Sequence, residues 1–509
     1  MKKSDYFLCI LLSAIAFVSR MPLLEKFQSH WDGPQYSLAI IHYSFEQQTP
    51  GPPGYPFYIA LGKFFHIFLP DIHSAILAVS VLGSVVGAVV LYIVGKQMYH
   101  RFVGLAASIL FLTGSTFYYF GLTPYAYGLL PGTTALLAYS VYRIFIKHKP
   151  EGILFGIIAG ICFGIRPQET IQIGPLILLG FVLLPTKEKM NSVFVFCCIT
   201  LLWFIPISYT VGVEKYFLLS YNFAKTAIYH NSLSQHLELM AKGFLLSLGI
   251  SSGFLFYFIW RLFQEKKLLK KETKILIFYS VWLVPGLFYN LFLRTEHAGY
   301  QMSYLTGILL LIAYALWKTT GKNKLLYGLA LTVVAVFNLY WFFYNRDPQF
   351  IKPYRPTSFH YSDIRKNDLK VGSKVRFVQQ KFDPKNTLII TVDVLWRPYM
   401  YHLKQYQLTD LTGLDANTPG YLYTRRDAKN WIMHEYEDKD RLVLIPSGIT
   451  TIVITDDEAA PWIKNYPFKT YHLPGNSTVT AISVLPHTKM VYRYHALTIL
   501  GKGQNKKIK

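Results

Sequence analysis

The chain is short of charge. Of its 509 residues only 16% are Asp, Glu, Lys or Arg, where a soluble protein carries about a quarter. Hydrophobic residues make up 52% and aromatic residues 17%, which excludes a disordered, fibrous or low-complexity chain. The composition is that of an integral membrane protein. Acid is scarcer than base, 28 residues against 51, leaving a net charge of +23. Such an excess can signal nucleic acid, but the basic residues sit mostly at the ends of apolar segments. The partner they imply is the lipid bilayer, with no nucleic acid. Cysteine is rare too: Cys9, Cys162, Cys197 and Cys198 all lie in apolar stretches. No disulfide framework is expected in the polar C-terminal third, and the adjacent pair lacks metal-ligand spacing. No repeat of 20–50 residues is visible.

What is present is a succession of long apolar runs. Windows of about 19 residues mark spans near 6–24, 73–95, 102–121, 124–146, 152–165, 168–185, 191–212, 243–262, 275–293, 301–317 and 325–344. That is about 11 transmembrane helices. The pair 152–165 and 168–185 is shorter than a usual span and could form one broken hairpin. The run 54–69 opens on prolines and reads as a helix in or dipping into the interface. Lys and Arg orient the chain: about 18 fall on one side of the spans, from Lys2 and Lys3 to Lys318, Lys322 and Lys324, against about 8 on the other. The basic side is the cytoplasmic one. The N-terminus is therefore expected inside, and the segment after 344 outside, at a bacterial plasma membrane. Lys2-Lys3, an apolar run and Ala14-Ile15-Ala16 also fit a cleavable signal peptide, but the run continues to Leu24 and suits an uncleaved span.

The domain reading is therefore 1–344 for the membrane part, with a first external loop at 25–56 and another at 213–242, and 345–509 for a soluble α/β domain. Residues 345–509 hold 25 basic and 15 acidic residues, against 26 and 13 for the whole longer membrane part. An amphipathic helix is expected at 361–381, strands at Thr387–Val392, Leu442–Ile445 and Thr450–Thr455, and a short segment at Arg397–Leu403. Acids follow two of these strands, at Asp393 and at Asp456-Asp457-Glu458, where a binding crevice can form. No glycine-rich phosphate loop precedes a helix there, which disfavours a nucleotide. Asp456–Glu458 reads as a solvated turn and Trp396 as core.

In a membrane protein, function concentrates where polar residues collect at the membrane edge. The first loop is the most unusual: His30-Trp31-Asp32-Gly33-Pro34-Gln35-Tyr36, then Pro50-Gly51-Pro52-Pro53-Gly54-Tyr55-Pro56. Asp32 either caps the helix that Gly-Pro starts or is a reactive carboxylate. The residues themselves leave both open.

These residues carry a resemblance. An apolar first span, Trp-Asp beyond it, Tyr36 and Leu38-Ala39, then Pro-Pro-Gly-Tyr-Pro opening a helix, resemble the GT-C membrane glycosyltransferases of the protein O-mannosyltransferase and lipid A aminoarabinose transferase type. Gly164-Ile165-Arg166-Pro167-Gln168 and Glu296-His297-Ala298-Gly299-Tyr300 look like members of that group as well. The resemblance covers most of 1–344, and the first-loop pattern is its specific part. It implies a GT-C-like fold and inverting transfer of a sugar from a polyprenyl-phosphate donor to an acceptor hydroxyl on a protein, lipid or glycan at the extracytoplasmic face. A phosphate leaving group has a second pKa near 6 and departs without a strong acid. The reaction then needs a carboxylate to take the hydroxyl proton and positive charge beside the phosphate. Asp32 matches the family's first-loop acid and is expected to be the base. Arg166, Arg294 and His297 are the expected phosphate partners, against snorkelling or flanking charge. His30, Tyr36, Tyr55 and Tyr300 are candidate substrate contacts, against interfacial belt residues.

The sequence departs from the family in one place. Many members carry an acid in the loop between the third and fourth spans, where a divalent metal may be held; here Tyr119 to Tyr125 has none. Glu46 or Glu169 could substitute, or could be a helix cap and a buried pair. His230, His236 and His297 do not form a metal-spaced cluster. No cofactor is expected with certainty. Tyr216, Tyr221, Asn222, Lys225 and Tyr229 in 213–242 offer surface for a sugar. Two other classes remain: a transporter or flippase of lipid-linked saccharides, which predicts charges at mid-membrane depth, and a non-catalytic scaffold whose external domain binds a partner.

Overall fold

The structure is a computed structural model of the chain. It describes residues 2–29, 32–45, 49–227, 232–254, 256–257, 273–293, 298–320, 323–344, 360–391, 396–410, 420–425, 431–436, 441–464, 466–485, 488–493 and 496–500. The chain divides into two compact units. One is Met1–Leu24 with Pro50–Asp363; the other is Glu25–Thr49 with Ile364–Lys509. The first loop thus groups with the C-terminal residues, where a single cut after residue 344 would leave it with the spans.

The first unit is helical. Its helices are α1 (Lys3–Arg20), α3 (Pro56–Phe68), α4 (Ile72–Met98), α5 (Arg101–Thr113), α6 (Ser115–Phe120), α7 (Leu130–Phe145), α8 (Gly152–Ile165), α9 (Thr170–Leu183) and α10 (Thr186–Val211). After these come α11 (Val213–Ala227), α12 (Leu233–Leu248), α13 (Thr273–Phe292), α14 (Met302–Thr319) and α15 (Lys324–Tyr344). Among the described residues, seven helices are long and apolar enough to cross a membrane: Lys3–Leu23, Ile72–Met98, Thr186–Val211, Leu233–Phe254, Thr273–Phe292, Ala298–Thr319 and Lys324–Tyr344. Arg101–Thr113, Gly152–Ile165 and Pro167–Leu183 are shorter apolar helices. Each of the eleven windows read from the sequence overlaps a described helix, and length and apolarity together qualify seven of the described helices as spans. The window 102–121 is broken at Gly114, whose backbone turns extended between α5 and α6. The segment 213–242 is not an irregular loop. It holds α11 and the start of α12, because Ser232 caps the latter by accepting the Gln235 N–H.

Close approach fixes the bundle. Gly152, Gly156 and Gly160 recur every fourth residue, on one face of α8. A Cβ there would lie 2.2 Å from Glu188 O, 2.5 Å from Ser192 O and 2.7 Å from Ile199 Cβ of α10. This is the small-residue seam that lets membrane helices pack backbone to backbone. At the start of α1, the buried Asp5 accepts hydrogen bonds from Tyr92 Oη at 2.7 Å and Lys96 Nζ at 2.5 Å of α4. At its end, Arg20 donates to Leu112 O at 2.8 Å and stacks 4.0 Å from the Tyr118 ring centroid. The centre of the unit is Ala298–Thr319, with 89% of its apolar stretch buried.

The second unit is α/β. The helix α16 (Tyr361–Lys381) and the short α17 (Trp396–His402) accompany eleven strands among the described residues. β1 (Thr387–Thr391) pairs in parallel with β2 (Gln407–Asp410) and β6 (Thr451–Ile454). With β3 (Gly420–Arg425), β4 (Trp431–Tyr436), β8 (Lys469–Leu473) and β9 (Ser477–Ser483), these make a sheet of order β4-β3-β2-β1-β6-β9-β8. A second sheet has the order β5-β10-β11-β7, from Arg441–Leu444, Lys489–Arg493, Ala496–Leu500 and Ile463–Lys464. Alternation along β1 explains the layers. Leu388 and Ile390 join Ile452, Ile454, Ile445, Ile463 and Met490 on one face. Ile389 faces the other way with Val453, Leu408 and the α16 residues Val371, Val375 and Val378. The expected helix 361–381, segment 397–403 and three strands all fall on observed elements within a residue or two.

After β6, Asp457 is held by partners of its own unit. Its carboxylate pairs with Lys370 Nζ at 2.7 Å and Lys374 Nζ at 2.6 Å, and accepts the Thr478 N–H at 2.7 Å. Burial raises the Asp457 carboxyl, but the two lysine hydrogen bonds outweigh it and hold the group below its ordinary pKa. The turn expected at Asp456–Glu458 is therefore an ion-pair anchor at Asp457. Asp393 and the Trp396 side chain lie outside the described residues.

Candidate functional site

Two groups of candidate residues are described, one in each unit. In the second unit, the first loop leaves Leu24 and immediately buries Glu25. Its carboxyl oxygen accepts the Ser29 N–H at 2.9 Å and the Ser29 hydroxyl at 2.7 Å. Burial pushes the Glu25 carboxyl up to about 8, despite those two bonds, and the Asp368 carboxylate adds to the rise. Gln28 Nε2 donates to Ser37 Oγ at 2.6 Å. The loop then forms α2 (Asp32–Ile41), which Gly33-Pro34 starts as a proline in the first turn should. Asp32 stands in that first turn, part-exposed, and accepts Gln35 Nε2 at 2.7 Å. Tyr36, four residues on, is fully buried.

In the first unit, the Pro-Pro-Gly-Tyr-Pro string makes a sharp turn. Gly54 has φ +113° and Tyr55 φ +56°, the latter a left-handed conformation that costs a non-glycine residue on the order of 1 kcal/mol. The turn begins α3 and directs the Tyr55 hydroxyl to Gln168 Nε2, 2.7 Å away. Arg166 sits between α8 and α9 and is only 3% exposed. It forms an ion pair with Glu169 and donates to Tyr127 Oη at 2.9 Å. Three rings surround its guanidinium: Tyr127 at 4.1 Å, Tyr300 at 5.0 Å and Tyr55 at 6.0 Å. Below Tyr300, Gln172 Nε2 donates to the Tyr300 carbonyl at 3.1 Å, and Ser303 Oγ donates to Gln172 Oε1 at 2.6 Å.

The structure therefore brings Tyr55, Arg166, Glu169 and Tyr300 into one cluster, although they come from three separate stretches of sequence. Arg166 does not snorkel: it is buried, and Glu169 compensates its charge. Glu169 is paired with Arg166, the buried pairing that was its alternative reading. Among the described residues, no three His, Cys, Asp or Glu side chains are placed to share an ion. Tyr127 was not singled out from the sequence, though Tyr125-Ala126-Tyr127-Gly128 at the start of the window 124–146 was the available signal. His30, Glu46, Arg294 and His297 lie outside the described residues, as do Tyr229 and His230.

Helices long and apolar enough to cross a membrane, with a small α/β domain at the C-terminal end, define an integral membrane protein, and its fold is that of the solved structures described next. Comparisons with known proteins agree. Residues 50–211 match the family described as dolichyl-phosphate-mannose-protein mannosyltransferase. The chain is similar in structure to ArnT from Cupriavidus metallidurans in the apo state, with a TM-score of 0.54 and 13% identity over 94% of this chain and 97% of that one. It is similar also to the same ArnT bound to undecaprenyl phosphate, with a TM-score of 0.54 and 11% identity over 94% of this chain and 98% of that one. No curated protein matches the chain by sequence.

Proposed function

We propose that the protein transfers a sugar from a polyprenyl-phosphate donor to an acceptor hydroxyl, with inversion, and that Asp32 is the general base. The observation that carries this reading is the likeness to ArnT over 94% of the chain, joined to a part-exposed carboxylate in the loop after the first span. Inversion requires the hydroxyl to attack the anomeric carbon opposite the departing phosphate while a carboxylate takes its proton. The Gln35 side chain, donating to Asp32 Oδ1, orients the carboxylate. The departing phosphate is to be met by positive charge or N–H donors, for which Arg166, Arg294 and His297 are the candidates. Because Glu169 compensates Arg166, its contribution is as an oriented donor that also organises Tyr55, Tyr127 and Tyr300. The excess of about 18 basic residues on one side against about 8 on the other supports a cytoplasmic N-terminus and reaction at the extracytoplasmic face.

The test is sugar transfer by membranes containing wild-type protein or Asp32→Asn at equal levels, supplied with radiolabelled undecaprenyl-phosphate hexoses and pentoses and native membrane acceptors. Loss of transfer by two orders of magnitude or more is the expected result for the variant. Transfer that survives Asp32→Asn removes Asp32 from the chemistry. Wild-type protein that moves labelled donor across the bilayer without transferring its sugar is a transporter or flippase instead.

A further inference from the structure

The first loop and the C-terminal residues form one compact unit, and the contact between them converges on one side chain. Asp368, on α16, points a single carboxylate oxygen at two successive backbone amides: Lys26 N–H and Phe27 N–H both donate to its Oδ1 at 2.8 Å. Its other oxygen pairs with Arg365 Nη1 at 3.0 Å. Charge-assisted bonds of this kind are about twice as strong as neutral ones. They span more than three hundred residues of sequence.

The neighbouring contacts are built for the same purpose. The Phe27 ring lies against α16 at Gly372, where a Cβ would come within 2.6 Å of Phe27 Cε2; α16 has given up a side chain to admit the ring. The Arg376 guanidinium lies 5.2 Å from the Phe27 ring centroid and the His402 ring 5.3 Å from it. The next turn of chain is stitched by Glu25 to Ser29 and by Gln28 to Ser37 of α2. The helix α2 itself packs on α17. The segment that leads into Asp32 is thus gripped at its root by α16 and along its helix by α17.

We propose that Asp368 is a positioning residue: through the Lys26 and Phe27 amides, the C-terminal domain sets the place of the loop that carries Asp32. The domain's function is then to hold the base, beyond any part it takes in acceptor recognition. This rests on the reading of Asp32 as the base. Asp368 takes no part in the proton transfer.

The experiment uses full-length protein in lipid nanodiscs and two readouts. Hydrogen exchange of the amides in 26–29 is compared in wild type, Asp368→Leu, Asp368→Asn and Gly372→Val. Removing the acceptor in Asp368→Leu should speed their exchange at least about tenfold, with the β1 and β6 amides unchanged. Asp368→Asn keeps one carbonyl acceptor and should fall between. Gly372→Val displaces Phe27 without touching the carboxylate and should give the same loosening. In the transfer assay, with the same labelled undecaprenyl-phosphate sugars, kcat should fall at least about tenfold while KM for the donor stays within about twofold. Unchanged exchange at 26–29 in both Asp368→Leu and Gly372→Val overturns the proposal. So does faster exchange with kcat unaltered. If the exchange result holds but Asp32→Asn retains transfer, the loop is held as described and it is the base assignment that fails.

Discussion

Raising the pH should loosen the first loop, and Glu25 is the reason. This carboxyl is buried beside Asp368 and Arg365 of α16, with Ser29 as its local donor, and its pKa is raised from 4.5 to about 8. A carboxyl whose folded pKa is raised binds its proton more tightly in the folded state. Its stabilising contribution is complete below the ordinary carboxyl pKa and is lost as pH rises through about 8. Between pH 6.5 and pH 9 the linked change is about 2 kcal/mol, in the direction of lower stability at high pH. Glu25→Gln removes the titrating proton and keeps a carbonyl to accept the Ser29 N–H and hydroxyl. The variant should therefore hold its loop equally well at both pH values and exceed wild type at pH 9. The assay is hydrogen exchange of the 26–29 amides in nanodiscs, corrected for the intrinsic pH dependence of exchange. Wild type should lose roughly thirtyfold in protection across this interval, if the loop opens as one unit. An equal loss in Glu25→Gln would refute the assignment of the effect to this carboxyl. The Asp368 carboxyl is also raised by its burial, so a residual slope at lower pH is expected to survive in Glu25→Gln and to disappear in the double variant with Asp368→Asn.

Glu169→Gln should strand the Arg166 charge in a site only 3% exposed and lower stability by about 3–5 kcal/mol; the pair Arg166→Met with Glu169→Leu should recover most of the loss in a detergent melting experiment. Gly156→Val forces a side chain into the 2.5 Å gap to Ser192 O and should cost about 1–3 kcal/mol. Gly174→Ala, whose Cβ would meet only Thr170 Cγ2 at 3.6 Å, is the matched change that should leave the melting temperature alone. Lys374→Met removes bonds to Asp457 Oδ1 and the Thr455 carbonyl and should destabilise the α/β unit by about 1.5–3 kcal/mol, seen as earlier loss of its near-ultraviolet signal with the membrane helices intact.

Local pattern made much of this fold legible. The helix Tyr361–Lys381 and the strands Thr387–Thr391 and Thr451–Ile454 were readable because each repeats its apolar residues at the right period, and both central strands are apolar on two faces. The outer strands were not. Lys469–Leu473 begins with two polar residues, shows no clean alternation and stands at a sheet edge, so little but its partner Ser477–Ser483 distinguishes it from a loop. The fourfold spacing of Gly152, Gly156 and Gly160 lay in plain view yet was read only as a short span. The site divides in the same way. Asp32 is marked by its neighbours Trp31 and Gly33-Pro34, and Tyr55 and Tyr300 by the strings around them. That Arg166 meets Glu169 is a local i,i+3 event, open to sequence as an alternative. That it also meets Tyr127, or that Phe27 finds Gly372 and Asp368, is a long-range outcome of packing that no local pattern encodes.

The long separation between the loop and its holder bears on how the protein is made. Residues 25–49 leave the ribosome early, just behind the first helix, while Asp368 follows after more than three hundred further residues. The central helix Ala298–Thr319, 89% of whose apolar stretch is buried, is also among the later spans to be made. Chains are built from the N-terminus and fold in that direction as far as their contacts allow. Here the loop with Asp32 emerges among the first segments and receives the Asp368 hydrogen bonds among the last. A chain truncated before residue 368 would keep the local Gln35–Asp32 bond and lack the two that Asp368 makes to the Lys26 and Phe27 amides.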